Sequence, residues 1–538
     1  MPRHFADLAI TGATIHTLDP DRPTATALAV RNGVITAVGP DDAIREVCDA
    51  RTQLIDGSGI TLTPGLTDSH THPVTGTLMT SGLDLSACTS TANLRTLLAT
   101  ERRRQGPNTW IRGFGLDPNI LDGHRPHHRL IDDVLDGAPA LLTLFDAHAA
   151  LASTRALELA GVTGPVRFDS AAEVVCDADG NPTGELLEEP AKRLVERAAP
   201  TMETNELADR LADLFSRMNA AGLTGGHVMD CTEQTLPALR TLEERGDLTL
   251  RLRIHARCRP GTDDDGLQDL IALCGTGGRL WQVAGVKLFM DGTIDNGTAW
   301  LDHPDCHGES TRPFWLSPDA YAKAVDTLAR AGVPTATHAI GDAAVAYALD
   351  CLAPHSRPHD RTARHRIEHA ETLPDTLVTR FARTGVVASM QPSHLQYSLA
   401  DHSDNWSARL GPERARRAFR CADLLHAGAV LALGSDWPIA HYDPREVLAA
   451  AQLRRSPHHP ERRPVIPDQA LTATEALTAM TVTPAITAGE AHRTGRLREG
   501  HTADLTGFAT DPLRVPPQEL PDVPIRLTIV DGRVVHRA

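Results

Sequence analysis

Thr63-Pro-Gly-Leu-Thr-Asp-Ser-His-Thr-His72 closes a β-rich run and sets His70 and His72 two residues apart. Along a strand, residues i and i+2 point to the same side. Two imidazoles therefore aim at one point, where they could share a metal ion. Alone, a His-x-His pair is more often an ordinary strand end. This pair has company, because His338, His369 and Asp436 each lie at or just after the end of an apolar, strand-like run.

Reading outward, strands are expected at 61–67, 222–228, 250–256, 283–289, 333–337, 364–368, 386–390 and 429–433. Helical periodicity fills most gaps, as at 318–331, 343–352 and 412–426. Eight such units predict an α/β fold, a (β/α)8 TIM-type barrel, whose functional side chains come from the C-terminal ends of its strands. An open doubly wound sheet ranks lower, since no Gly-rich phosphate loop follows any strand. The stretch of about 74–220 is too long for a loop and reads as a large insertion after the first strand. It has strand-like pieces at 110–114 and 140–145 and helices near 152–160 and 203–221. Both ends of the chain are β-rich, with hairpin signals at Asn32-Gly33 and Asp531-Gly532. A small β-sandwich built from 1–62 and 489–538 is expected, flanking a barrel at 63–488.

Lysine usage singles out one more residue. The chain has three lysines, Lys192, Lys287 and Lys323, among 53 basic residues. Lys192 and Lys323 lie in polar, helix-like segments that need only a solvated amine. Lys287 sits in Val283-Ala-Gly-Val-Lys-Leu-Phe-Met-Asp-Gly292, which reads as a buried strand. A buried cation without a partner is costly, so this amine is expected to be paired, deprotonated or modified. An amine takes up carbon dioxide to form a carbamate, an oxygen ligand that bridges two metals; a guanidinium does not. The set His70, His72, Lys287, His338, His369 and Asp436 on one barrel face is hard to explain as packing. Its nitrogen and oxygen donors suit zinc, and also manganese, iron or nickel.

Composition bounds the rest. With 538 residues and 41% hydrophobic content, the chain can form one large and one smaller domain. A formal charge of −16 argues against nucleic acid or an anionic membrane surface as partner. Residues 1–14 show no apolar core behind a basic start, so no secretory signal is expected, and no apolar run approaches the ~20 residues of a membrane span. Nine scattered cysteines, none in a C-x-x-C pair, read as reduced thiols in a cytoplasmic protein.

These motifs together resemble the amidohydrolase superfamily, in the amidohydrolase-3 branch that includes YtcJ-like proteins and N-substituted formamide deformylases. The resemblance runs the length of the chain: Pro64–His72, Val286–Gly292, His338-Ala-Ile-Gly-Asp342, Arg366-Ile-Glu-His369, Gln391-Pro392, Gly434-Ser-Asp436 and Gly495–Leu505. It implies that His70 and His72 bind the more buried metal, with a carbamate on Lys287 bridging to a second ion held by His338 and His369. Asp436 would bind metal and act as general base and acid while a metal-activated hydroxide attacks a small-molecule amide. Whether one or two ions are held stays open. Trp110 and His148 in the insertion resemble residues that line the family's substrate pocket, and His394 and Trp437 are placed to meet substrate. His227 could also reach the pocket; His255 reads as a core residue.

One departure bears on substrate. Gly297 stands where many relatives carry an arginine, which removes an obvious anchor for a substrate carboxylate. The function expected is hydrolysis of an N-acyl, N-formyl or cyclic amide, with a homodimer expected by family analogy alone. The rivals are a metal-binding scaffold without activity and a Schiff-base lyase built on Lys287, the latter leaving the histidines unexplained.

Overall fold

The computed structural model describes residues 5–106, 108–121, 124–358, 362 and 364–538. The first residues of the expected leader-free N-terminus, 1–4, lie outside that set. At its centre, eight parallel strands follow one another in chain order: β1 (Leu66–Thr71), β2 (Leu223–Val228), β3 (Arg251–Arg257), β4 (Trp281–Phe289), β5 (Thr335–Ala339), β6 (Arg366–His369), β7 (Val387–Met390) and β8 (Leu431–Leu433). Their apolar residues alternate outward against the helices, as Val286 and Leu288 do around Lys287. The seam between β8 and β1 closes just beyond the end of β8. There Asp436 N donates to His70 O at 2.8 Å and His72 N to Trp437 O at 2.9 Å. The barrel therefore closes through the backbone of the expected metal ligands.

One strand differs from the sequence reading. The run 61–67 is two elements, because Thr61–Pro64 pairs antiparallel with Leu505–Phe508 in the β layer and only Leu66–Thr71 enters the barrel. A single residue, Gly65, separates them. Both pieces are buried, so no change in hydrophobic pattern marks the switch.

The chain ends build two sheets, one of four strands from 8–56 and one of six that draws on both termini. They face each other across a core that includes Ile10, Ile15, Leu28, Leu505 and Leu527. The two hairpin tips have left-handed backbones, Asn32 at φ 51° with Gly33 at 76°, and Asp531 at 53° with Gly532 at 75°. These are the paired positive φ values that a type I′ turn requires.

The insertion forms a six-stranded sheet that contains Ile111–Leu116 and Ala140–Leu144, with its own apolar cores. Helix Thr204–Ala220 closes the stretch but buries Leu207, Leu211 and Phe215 in the barrel's core, as part of the barrel shell. No helix among the described residues is long and apolar enough to cross a membrane. All nine cysteines are free.

Candidate active site

The strand ends bring His70, His369 and Asp436 together, with one donor atom from each lying within 4.8 Å of the others. His72 joins through Asp436, its Nε2 being 3.1 Å from Oδ1. His394 approaches the other carboxylate oxygen, Nε2 to Oδ2 at 3.5 Å. Two of these residues stand in the left-handed region, His369 at φ 74° and Asp436 at φ 60°. Such conformations cost about 1–3 kcal/mol each outside glycine. They bend the ends of β6 and β8 so that the side chains turn inward.

Beneath this group lies a fully buried ionic floor. Glu368 Oε2 is 2.6 Å from His70 Nδ1, and Arg366 pairs with both Glu368 oxygens. Arg366 also donates to Ser69 O at 2.6 Å and meets His227 Nδ1 at 2.8 Å. Burial opposes the Glu368 charge, but Arg366 and His70 hold the carboxyl well below its usual range. An ionised carboxylate only accepts, so Nδ1 of His70 carries the hydrogen and Nε2 presents a lone pair to Asp436. This carboxylate–histidine arrangement orients metal-binding imidazoles.

Electrostatics at the group favour a cation. Burial and the Lys287 charge push His70 down to about 4, and burial with neighbouring imidazoles keeps His369 and His338 uncharged. Burial opposes charge on His72 too, yet Asp230 and Asp436 raise it to about 9. Both Asp230 oxygens and His369 Nδ1 are buried without a hydrogen-bond partner. Orphaned lone pairs around ionised carboxylates fit a divalent ion.

His338 and Lys287 stand one layer away. His338 Nε2 donates to Gly292 O at 3.0 Å, which leaves Nδ1 as its free lone pair, and its ring lies 4.6 Å from that of His369. Lys287 is 1% exposed, its amine 5.0 Å over the Phe289 ring, and no carboxylate among the described residues lies within ion-pair distance. Burial brings it down to about 8.

A cavity opens above the group, with His148, His338, His369, His394 and Asp436 in its lining. His148 comes from the insertion, where Glu188 holds its Nδ1 at 2.8 Å. Trp110 does not reach the cavity. Its ring packs against the insertion's core around Leu141, Ala150 and Leu186. Trp437 is also turned away, lying over helix Pro73–Thr80, where a Cβ at Gly76 would fall 2.3 Å from the ring. His227 belongs to the floor under Arg366 and not to the cavity, and His255 is a buried core residue as expected.

The sequence profile of the Amidohydrolase family, in its Amidohydro_3 form, matches residues 53–536. The chain belongs to the amidohydrolase family. Protein LONG AFTER FAR-RED 3 of Arabidopsis thaliana is 30% identical over 526 residues, 94% of this chain and 88% of that protein. The N-substituted formamide deformylase of Arthrobacter pascens is 27% identical over 545 residues, covering 98% and 97%. In fold, the chain matches an uncharacterized metal-dependent hydrolase from Pyrococcus horikoshii OT3 with a TM-score of 0.74 at 24% identity, over 95% of this chain and 99% of that one. Membership places this amidohydrolase-family chain, of the amidohydrolase-3 branch, among hydrolases.

Several of the residues that shape this amidohydrolase site were not assigned from sequence. Glu368 and Arg366 could have been, because two opposite charges on the same side of a four-residue barrel strand demand each other. Asp230, just past β2, could have been sought in the same way. Glu188 and Asp295 carried no such signal, and Asp146 stood out only as part of the Asp146-Ala-His148 segment that resembles the family's pocket lining.

Proposed function

We propose that the chain is a metal-dependent hydrolase cleaving a non-peptide carbon–nitrogen bond in a small N-formyl, N-acyl or cyclic amide. The observation that carries this reading is the orphaned, buried His369 Nδ1 facing the lone pair of His70 and the ionised Asp436 at the foot of a cavity. The donor set fits zinc, with manganese, iron or nickel as alternatives. His70, His72, His369 and Asp436 would hold the first ion. Lys287 is a buried amine with no ion-pair partner among the described residues, whereas the other buried amine, Lys192, donates to Ala147 O. As a carbamate, Lys287 would join His338 at a second ion. The similarity to a formamide deformylase supports an N-formyl amide as the first substrate class to try.

A bound divalent ion lowers the pKa of a water to about 7 and polarises a carbonyl. The chain's own residues do the rest. Glu368 fixes the tautomer of His70, and the strained backbone at His369 and Asp436 pre-sets both side chains. Asp436 takes the proton as water adds to the carbonyl carbon, then passes it to the leaving nitrogen when the carbon–nitrogen bond breaks. One water is consumed, and one carboxylic acid and one amine are released. His148, anchored by Glu188, and His394 flank the cavity and orient the amide.

Metal content per chain, measured by plasma mass spectrometry on protein purified without chelator, tests the ion. About two zinc equivalents would support the carbamate on Lys287; about one would favour a single ion. None, with no turnover after adding zinc or manganese, would leave a non-catalytic scaffold. Asp436→Asn tests the proton path and should lower kcat on an amide panel by about 10²–10⁴-fold. Unchanged turnover would overturn the assignment.

A further inference from the structure

The outer part of the cavity has a charge pattern that the hydrolytic chemistry does not use. Its lining holds four carboxylates, including Asp146, Asp295 and Glu371, and no lysine or arginine. Asp436 serves the metal group, and the other three lie beyond it. Asp146 accepts only from neutral donors: Thr293 Oγ1 at 2.9 Å, Asn296 Nδ2 and the His148 amide at 3.0 Å. Asp295 accepts from Asn405 Nδ2 at 2.9 Å through one oxygen. Glu371 is more than nine-tenths buried. One of its oxygens takes the Trp406 indole N–H at 2.7 Å, while the other lies 3.8 Å from His394 Nδ1, beyond hydrogen-bond reach.

The guanidinium beside Gly297 is committed elsewhere. A Cβ at Gly297 would fall 2.3 Å from Glu309 Oε2 and 2.9 Å from Arg409 Nη1, so the Glu309–Arg409 pair fills the space that a longer side chain at 297 would need. That nitrogen already bonds Asp305 and Glu309, each at 2.9 Å. Burial, and then the charges of Asp146, Glu371 and Asp404, raise Asp295 to about 7 in spite of its bond from Asn405. The carboxylates repel each other across the cavity. Burial opposes charge on His394 beside Glu371 and on His148 beside Asp146, yet nearby carboxylates raise both. Neither ring hydrogen-bonds one of the three, and no lysine or arginine stands in the lining. Beside them stand aromatic rings: Phe145 and Tyr397 form a pair with centroids 4.7 Å apart, and Tyr397 is 37% exposed. Acidic groups and open ring faces in one concavity are what a cationic ligand requires.

We propose that the substrate carries a positive charge, an ammonium or amidinium group set beyond the scissile amide, which the Asp146–Asp295–Glu371 face and the Phe145–Tyr397 rings receive. The inference rests on the hydrolase reading for the word substrate, and its binding half stands without it. A carboxylate-bearing amide meets the same face as repulsion and is excluded. Negative selection of this kind needs no extra contact, only unpaired like charge.

The test uses three N-formyl arylalkylamines identical except for a para substituent: trimethylammonium, tert-butyl or carboxylate. The first two are equal in shape, so their difference reports charge alone. On the metal-loaded enzyme, kcat/KM should favour trimethylammonium over tert-butyl by about tenfold or more, the scale of one partly desolvated cation–π contact with an adjacent carboxylate. The carboxylate compound should be slowest. Calorimetric binding of the three product amines gives a second readout without turnover and should rank them in the same order. In Asp295→Asn and Asp146→Asn the trimethylammonium to tert-butyl ratio should shrink. The ratio is read within one variant, so partial loss of folded protein does not affect it.

Turnover without discrimination, or with the carboxylate preferred, overturns this inference and leaves the hydrolase reading standing. Absence of turnover together with binding ranked by charge supports the inference and removes the hydrolase reading. Equal affinity of the product amines, or no binding of any, overturns it.

Discussion

The floor of the cavity and its outer wall are built on opposite principles. On the floor every charge has its counter-charge: Glu368 is held between Arg366 and His70, and Arg366 spends its remaining donors on Ser69 O, Ser389 and His227. On the wall, Asp146, Asp295 and Glu371 take their hydrogen bonds from neutral donors, and the titratable bases near them are imidazoles, His394 at 3.8 Å from Glu371 and His148 beside Asp146. A buried ion pair rarely adds stability over apolar packing, but it fixes geometry, because breaking it leaves a buried charge alone. Unpaired carboxylates in a cavity do the reverse, giving up some stability for a ligand that supplies the missing charge. The floor makes the site rigid, and the wall makes it selective.

The sharpest way to break this comparison is to remove one partner from the floor. Glu368→Gln leaves Arg366, 1% exposed, without a counter-charge and takes the anchor from His70. The expected cost is roughly 3–5 kcal/mol in urea unfolding, with a metal affinity lowered about 10–100-fold. A loss under about 1 kcal/mol with metal affinity unchanged would show that the floor is not the rigid part. A smaller effect is expected where the insertion meets the barrel. Glu188→Gln keeps the shape but weakens the hold on His148 Nδ1. Fold and metal content should stay as they are, while kcat/KM drops by about tenfold, the scale of one positioning hydrogen bond to a charged group. A drop in metal content would instead tie Glu188 to the metal group.

The two regions also differed in how far the sequence revealed them. Most of the eight barrel strands could be read as short apolar runs, and the candidate metal group because His70, His72, His338, His369 and Asp436 lie at or just past strand ends. β6, Arg366-Ile-Glu-His369, is an exception, with a single apolar residue. The first strand was drawn too early because Gly65 alone separates two equally buried segments. The floor was within reach, since Arg366 and Glu368 cannot share a buried strand without pairing. The wall was not. Asp146 sits in the insertion, Asp295 in the loop after β4 and Glu371 just past β6, and only the fold of that insertion onto the barrel brings them together. Trp110 failed for a related reason, because an aromatic residue beside a glycine-rich strand reads the same whether its ring faces a cavity or a core. Local pattern specifies elements, and it is silent on which face of an inserted sheet lies over the barrel mouth.

The smallest expected effect is also the one that separates the regions by sign. Asp295 is raised from 3.8 to about 7, chiefly by burial and then by neighbouring carboxylates. Between those two values the folded chain binds more protons at this group than the unfolded chain does. Stability therefore falls as pH rises from about 4 to about 7 and changes little above that. Glu368 has the opposite sign. With its folded value well below 4.5, its contribution is present above that pH and is lost as pH falls. In urea titrations at several pH values, Asp295→Asn should remove a falling component between pH 4 and 7 and leave the enzyme equal to or slightly more stable than the parent at pH 7. Glu368→Gln should remove a rising component at acid pH and leave a less stable enzyme at pH 7. A cation bound to the wall lowers the Asp295 value toward its ordinary range, so a saturating quaternary ammonium compound should flatten the parent's profile over pH 4–7 and have no such effect on Asp295→Asn. If Asp295→Asn is instead destabilised at pH 7, Asp295 has a cationic partner in the folded chain besides its bond from Asn405, and the contrast between a paired floor and an unpaired wall fails at that residue.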